Sequence, residues 1–246
     1  METHRSSDLP RHLAGLEPMG LHEGELIAQY ELGTGKNFVY LILNWNAPFG
    51  SRKAAIVDPQ SDLNSVLEDL SNHGFELEMI LLTHTHHDHI AGVGKLLQRK
   101  PDLPIKVGKE DLHRLSLSVQ KAPGLKTLVP GESFSLGGIR ISAHHTPGHS
   151  AGEFCYFIDQ QPESGVDRPY LCTGDLVFIR DCGRTDFPDG SDEQMFESLQ
   201  RIKKLPLKTV LLVGHHYARE CATTLEAELK ESPPFLCRTV EELAKL

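Results

Sequence analysis

With 246 residues, 39% hydrophobic and 24% charged, the chain can bury a sizeable core without staples, and no run in it approaches the ~20 apolar residues of a membrane span. A net charge of -9 leaves no general basic face for nucleic acid. The five cysteines are odd in number, widely spaced and without a Cys-x-x-Cys pair, which argues against a disulfide framework and for a reducing setting, the cytoplasm first and an organellar matrix as the alternative.

Residues 1–24 read as a polar extension, because Met1 to Gly20 carries Arg5, Arg11, two prolines and two histidines but no continuous apolar core of the secretory kind. Residues 25–246 read as one domain. Glu25 to Leu32 and Asn37 to Asn44 are β-rich runs joined by Gly33-Thr34-Gly35-Lys36, a hairpin signal, and Lys53 to Val57 is a third strand that closes at Asp58-Pro59. Ser61 is placed to cap a helix with Leu63, Val66, Leu67 and Leu70 on one face, ended by His73-Gly74.

The next stretch, Met79 to Leu82, has the length and apolarity of a buried strand and runs into Thr83-His84-Thr85-His86-His87-Asp88-His89. Ile90 to Leu97 then reads as a helix, so the four histidines and the aspartate are expected on the connecting loop. Imidazole and carboxylate are ligands that zinc or iron accepts, with three or four per ion and one position left for water, so five candidates here point to two ions or a shared site.

Further along, Pro104 to Val107 is a short strand, Leu128 to Gly138 a hairpin, and Ile139 to Ala143 a strand that enters His144-His145-Thr146-Pro147-Gly148-His149. Phe154 to Ile158 and Tyr170 to Thr173 follow, the latter opening onto Gly174-Asp175. Ser191 and Gln194 form a capping box for a helix with Met195, Leu199 and Ile202 on one face. Thr209 to Val213 is the last buried strand and ends in Gly214-His215-His216-Tyr217; Thr239 to Leu246 reads as peripheral helix. Nine of the fourteen histidines fall in three strand-end loops. Two sheets packed face to face with helices outside would bring such loops to one edge.

The ordered motifs His-x-His-x-Asp-His, Thr-Pro-Gly-His, Thr-Gly-Asp and Gly-His resemble the metallo-β-lactamase superfamily, whose fold is an αββα four-layer sandwich in which two ions share a bridging hydroxide. Carried over by motif, the resemblance implies that His84, His86 and His149 bind the first ion, that Asp88, His89 and His215 bind the second, and that Asp175 bridges. Zinc is the first expectation for both ions and iron the alternative. Asp175 stands where many zinc β-lactamases place a cysteine, and Gly174-Asp175-Leu176-Val177-Phe178 is similar to the glyoxalase II group, the hydroxyacylglutathione hydrolases. About thirty residues follow His215. That is short of the helical substrate-binding domain of long glyoxalase II enzymes and implies only a short helical tail.

This resemblance implies a hydrolase in which metal-bound hydroxide attacks a thioester, a glutathione thioester in the first instance, with Asp88 as the catalytic carboxylate. The stretch from Ile179 to Phe187 also resembles the persulfide dioxygenases, which use one iron at positions matching His84, His149 and Asp175. Arg184 is assigned to substrate because a guanidinium can clamp a carboxylate; an ion pair with Asp186 is its other use. His87 is read as a bystander, and Cys182, without a paired base, as a packing residue. The expected partner is a small thiol-derived molecule, with neither nucleic acid nor membrane involved and a homodimer left open.

Overall fold

The computed structural model describes residues 9–15, 17, 19–159 and 168–246. One six-stranded sheet holds β1 (Ile27–Leu32), β2 (Asn37–Asn44), β3 (Arg52–Val57), β4 (Phe75–Leu81), β5 (Ile105–Val107) and β6 (Leu125–Thr127) in chain order. It is antiparallel up to β3 and parallel beyond. The second holds β7 (Ser133–Leu136), β8 (Ile139–His145), β9 (Phe154–Asp159), β10 (Tyr170–Gly174), β11 (Val210–Val213) and β12 (Thr223–Thr224), and only its β10–β11 pair is parallel.

The central strands are apolar on both faces, as strands covered on both sides must be. In β2, Phe38, Tyr40 and Ile42 enter a core between the sheets, while Val39, Leu41 and Leu43 enter a second core on the outer face. That outer core is closed by α1 (Asn64–Asn72), a single turn α2 (His87–Ile90), α3 (Val93–Arg99) and α4 (Leu117–Gln120), through residues such as Val66, Leu70, Leu96 and Val119. On the far side α5 (Asp192–Ile202), α6 (Leu225–Glu231), α7 (Pro233–Leu236) and α8 (Val240–Leu243) cover Cys155, Leu171 and Leu211. Three apolar layers separated by two sheets give the expected αββα sandwich. Among the described residues no helix is long and apolar enough to cross a membrane.

Five expectations are corrected by tertiary contacts. Ser61 does not cap α1: the helix begins later, its N-cap is Leu63, and no side chain makes a cap bond there. The helix expected from Ile90 to Leu97 is two pieces, broken at Ala91-Gly92, where the Gly92 amide donates to Pro59 O at 2.8 Å. In consequence His87, Asp88 and His89 lie on the helical turn α2, not on a loop. The stretch read as a polar extension falls partly outside the described residues, but Leu13 is fully buried in the inter-sheet core and His12 Nε2 lies 2.9 Å from Ile27 O, so it packs on the domain. Finally, the terminal helix is not peripheral throughout, because Leu243 is buried against α5 in the far-side core.

Two tyrosines fasten the sheets together close to the ligand-bearing edge. Tyr40 donates to Val213 O and Tyr156 to Leu82 O, each at 2.7 Å, one residue short of Gly214 and Thr83 respectively. Both hydroxyls are buried. Removing one strands a buried carbonyl, so Tyr156→Phe is expected to cost about 1–3 kcal/mol in urea unfolding with an unchanged m-value. A loss under about 0.3 kcal/mol would show that Leu82 O finds another donor.

Candidate metal centre

The C-terminal ends of β4, β8, β10 and β11 open onto one edge of the sandwich, and there the segments carrying His84, His149, Asp175 and His215 meet. Cross-sheet backbone bonds fix the approach: Phe154 N donates to Thr83 O and Phe38 N to Gly214 O, both at 2.8 Å. The turn at Gly174 has φ of +52°, and a Cβ there would lie 2.4 Å from Thr83 Oγ1, so only glycine lets Asp175 come so near the histidine segment.

All seven expected ligand residues converge. His84, His86 and His149 form one group and Asp88, His89 and His215 a second, with ligand atoms inside each group within 4.8 Å of one another. Asp175 lies between them, Oδ2 being 3.5 Å from His149 Nε2 and 3.4 Å from His215 Nε2, and Oδ1 3.4 Å from His89 Nε2. A third grouping joins Asp58 to His84 and His89, but Asp58 Oδ2 accepts from Thr83 Oγ1 at 2.6 Å and from His89 Nδ1 at 3.0 Å. Oδ1 accepts from Thr83 N at 2.8 Å, so three donors engage the carboxylate and place Asp58 behind the candidate ligands as their support.

The outward-facing ring nitrogens determine what the inner ones can do. His89 Nδ1 faces the Asp58 carboxylate, His149 Nδ1 the Arg184 carbonyl at 2.7 Å, and His215 Nδ1 the Gly35 carbonyl at 2.9 Å. These oxygens only accept, so each Nδ1 carries hydrogen and each neutral ring leaves Nε2 bare. His84 Nδ1 is 3.1 Å from Thr83 Oγ1, whose own hydrogen goes to Asp58, so the same tautomer follows. Bare nitrogens then crowd together: His89 and His215 are 3.2 Å apart at Nε2, and His149 Nε2 is 2.9 Å from His86 Nδ1. His84 Nε2 and Asp175 Oδ1 are buried with no hydrogen-bond partner among the described residues. Converging lone pairs, buried and unpaired, suit a divalent cation.

The sequence profile of the metallo-β-lactamase superfamily matches residues 32–215, a span that contains every one of these candidate ligands. The chain belongs to the metallo-β-lactamase superfamily. Hydroxyacylglutathione hydrolases of Prochlorococcus marinus and Pectobacterium carotovorum are each 34% identical to it, over 68% and 74% of this chain. The matched region spans 62% of the length of either relative. Among solved structures, ETHE1 from Myxococcus xanthus is similar with a TM-score of 0.72 and 25% identity, covering 89% of this chain and 88% of that one. TTHA1623 in a di-iron-bound form is similar with a TM-score of 0.64 and 27% identity, covering 83% and 98%.

Around this metallo-β-lactamase centre, the neighbours fall into clear classes. His87 is exposed and outside both ligand groups, while His216 is turned away to Glu31. His145 Nε2 contacts Ala151 O. The Arg184 guanidinium pairs with Asp186 at 2.5 Å, exposed, and stacks over Phe187; its backbone carbonyl is what serves His149. Burial and then Asp181 push the Cys182 thiol up to about 12, which leaves it inert at neutral pH. Phe187, 4.7 Å from the His86 ring, and Tyr217, stacked on His215 at 4.7 Å, form apolar walls on the two sides.

Several supporting residues carry no motif that sequence reading singled out. Asn37 Nδ2 donates to Asp88 Oδ2 at 2.8 Å, Gln60 Nε2 donates to the Asp88 carbonyl at 3.1 Å, and Glu153 Oε1 accepts from the Asp175 amide at 2.9 Å. The available signal was a polar residue at the end of a buried apolar run, as Asn37 and Asp58 both are.

Charge in the centre is balanced by its own carboxylates. Burial works against a charged His89, but Asp175, Asp58 and Asp88 outweigh it and hold its pKa up at about 9. In the metal-free protein the added proton sits at His89 Nε2, which His215 Nε2 faces at 3.2 Å, and an ion bound there would have to displace it. Burial would raise Asp175 too, yet His89 and His215 keep it well below the usual carboxylate range. A pKa raised from 6.5 to about 9 gives metal-free protein a stabilisation that is complete below pH 6.5 and lost as pH rises through about 9. The stability difference between metal-stripped wild type and Asp58→Asn should therefore shrink across that window to a constant set by the lost Thr83 bonds. A difference independent of pH would mean that Asp58 does not share the His89 proton.

Proposed function

We propose that the chain is a metal-dependent thioester hydrolase of the glyoxalase II type, acting on a glutathione thioester or a close small thiol relative. His84, His86 and His149 would hold one divalent ion and Asp88, His89 and His215 a second, with Asp175 between them; zinc is the first assignment. The observation that carries this reading is the second ligand group, which is as fully prepared as the first. Asp88 is held by Asn37, His89 by Asp58 and His215 by Gly35 O. The identity to hydroxyacylglutathione hydrolases supports it, as does the di-iron form of TTHA1623.

When bound, the ions supply hydroxide at neutral pH and polarise the carbonyl under attack. The chain's own side chains do the rest. Burial raises the Asp88 carboxyl, but His89 and the Asn37 amide prevail and hold it below its ordinary range, so it is ionised at neutral pH. Anchored through Oδ2, it orients the hydrogen of the attacking water. Phe187 and Tyr217 flank the approach on its two sides, and no serine or cysteine nucleophile is called on.

A second reading, iron-dependent oxidation of a glutathione persulfide at His84, His149 and Asp175, is favoured by the likeness to ETHE1 over nearly the whole of both chains. The two part at Asp88, which only the hydrolase needs beside the reacting atoms. Purified protein loaded with zinc should hold two ions per chain and cleave a glutathione thioester. Asp88→Asn should lower that rate by at least ~100-fold and still retain the ion of the three-histidine group. Asp175→Ala should be far more damaging than His87→Ala. Robust persulfide-dependent oxygen consumption, with thioester cleavage undetectable under zinc or iron, would overturn the hydrolase and establish the alternative.

A further inference from the structure

Asp111 is fully buried and distant in sequence from every ligand, yet its carboxylate is the meeting point of the two segments that carry His84, His86 and His149. Oδ2 accepts from Thr85 N at 3.1 Å and from Ser150 Oγ at 3.0 Å; Oδ1 accepts from Gly152 N at 2.9 Å and from Arg114 at 3.2 Å. Its backbone carbonyl accepts from Thr85 Oγ1 at 2.9 Å. Thr85 lies between His84 and His86, and Ser150 follows His149. A Cβ at residue 152 would stand 2.5 Å from Asp111 Oδ1, so glycine there permits the contact. Arg114 neutralises the buried charge and continues the connection to Asp189, which in turn accepts from Ala151 N at 3.3 Å.

None of these bonds reaches Asp88, His89 or His215. That group is braced by other residues: Asn37 and Gln60 on Asp88, Asp58 on His89 and Gly35 O on His215. We propose that Asp111 is the positioning residue of the three-histidine group alone, fixing the distance between the His84–His86 segment and the His149 segment, whereas Asp58, bonded both to Thr83 beside His84 and to His89, is a support that the two halves share. The physical basis is that a carboxylate with four donors from three segments has one low-energy placement. Loss of an outer support of this kind typically costs 10–100-fold in metal affinity.

The inference rests on the two-ion reading, and single-site backgrounds separate the two. In His215→Ala the three-histidine group is the intact one, and in His149→Ala the Asp88 group is. Zinc affinity is measured in each by competition with a chromophoric chelator, with and without Asp111→Asn, and circular dichroism monitors folding. We expect Asp111→Asn to weaken zinc 10–100-fold in the His215→Ala background and by less than about twofold in the His149→Ala background. Asn37→Ala should show the opposite pattern. Should Asp111→Asn fail to fold, Ser150→Ala, which removes a single donor, is read in the same two backgrounds and is expected to weaken only the three-histidine group. Equal losses in both backgrounds, or none in either, overturn the proposal while leaving the two-ion reading intact. Wild type that takes up no zinc overturns both.

Discussion

Four imidazoles offer a lone pair to the same small volume only because the opposite nitrogen of each is tied to an oxygen that can do nothing but accept or is already committed as a donor. Thr83, Asp58, Arg184 O and Gly35 O do this for His84, His89, His149 and His215. Without those ties each ring could turn its hydrogen inward, pair with a neighbour and close the site as an ordinary hydrogen-bonded cluster. The rest of the structure can be understood as the apparatus that delivers these four oxygens.

That delivery has a cost in the protein itself. Among the described residues His84 Nε2 and Asp175 Oδ1 are buried without hydrogen-bond partners, and burial drives His84 well below the usual imidazole range, with His89 adding to the effect. Glu153, behind Asp175, is held well above the usual carboxylate range by burial and by Asp175, and its Oε2 is also unpaired. A core selected for stability alone would not keep such groups together. Sites where polar satisfaction is locally abandoned are where function is to be expected, and a cation answers the imbalance at the ligand atoms.

The sandwich tolerates this because its rigidity comes from elsewhere. The inter-sheet core is packed by large side chains such as Phe38, Tyr40, Phe154 and Tyr156, and the two tyrosine hydroxyls bond across to the opposite sheet immediately before the ligand segments begin. Strand ends anchored in such a core hold a constellation more precisely than free loops would. The ligand segments therefore inherit their spacing from the sheets, and the supporting residues refine it.

The amino-acid sequence alone determined the chemistry and the layers. Apolar runs such as Asn37–Asn44 and Val210–Val213 specify strands buried on both faces, and the order of histidines and aspartates at their ends names the ligand types, because strand periodicity and donor identity are local properties. Only the tertiary structure decided how those candidate ligands are held. Asn37 meets Asp88 across 51 positions, Asp111 meets Gly152 across 41 and His215 meets the Gly35 carbonyl across 180, and no local pattern encodes such pairs. The same holds for the Asp58 carboxylate, which a strand-ending Asp-Pro does not distinguish from a turn, and for the Arg184 carbonyl, where the backbone serves His149 while the side chain pairs with Asp186. Side-chain identity is written residue by residue, whereas the tautomer of a buried imidazole depends on which distant oxygen the fold brings within 3 Å of it.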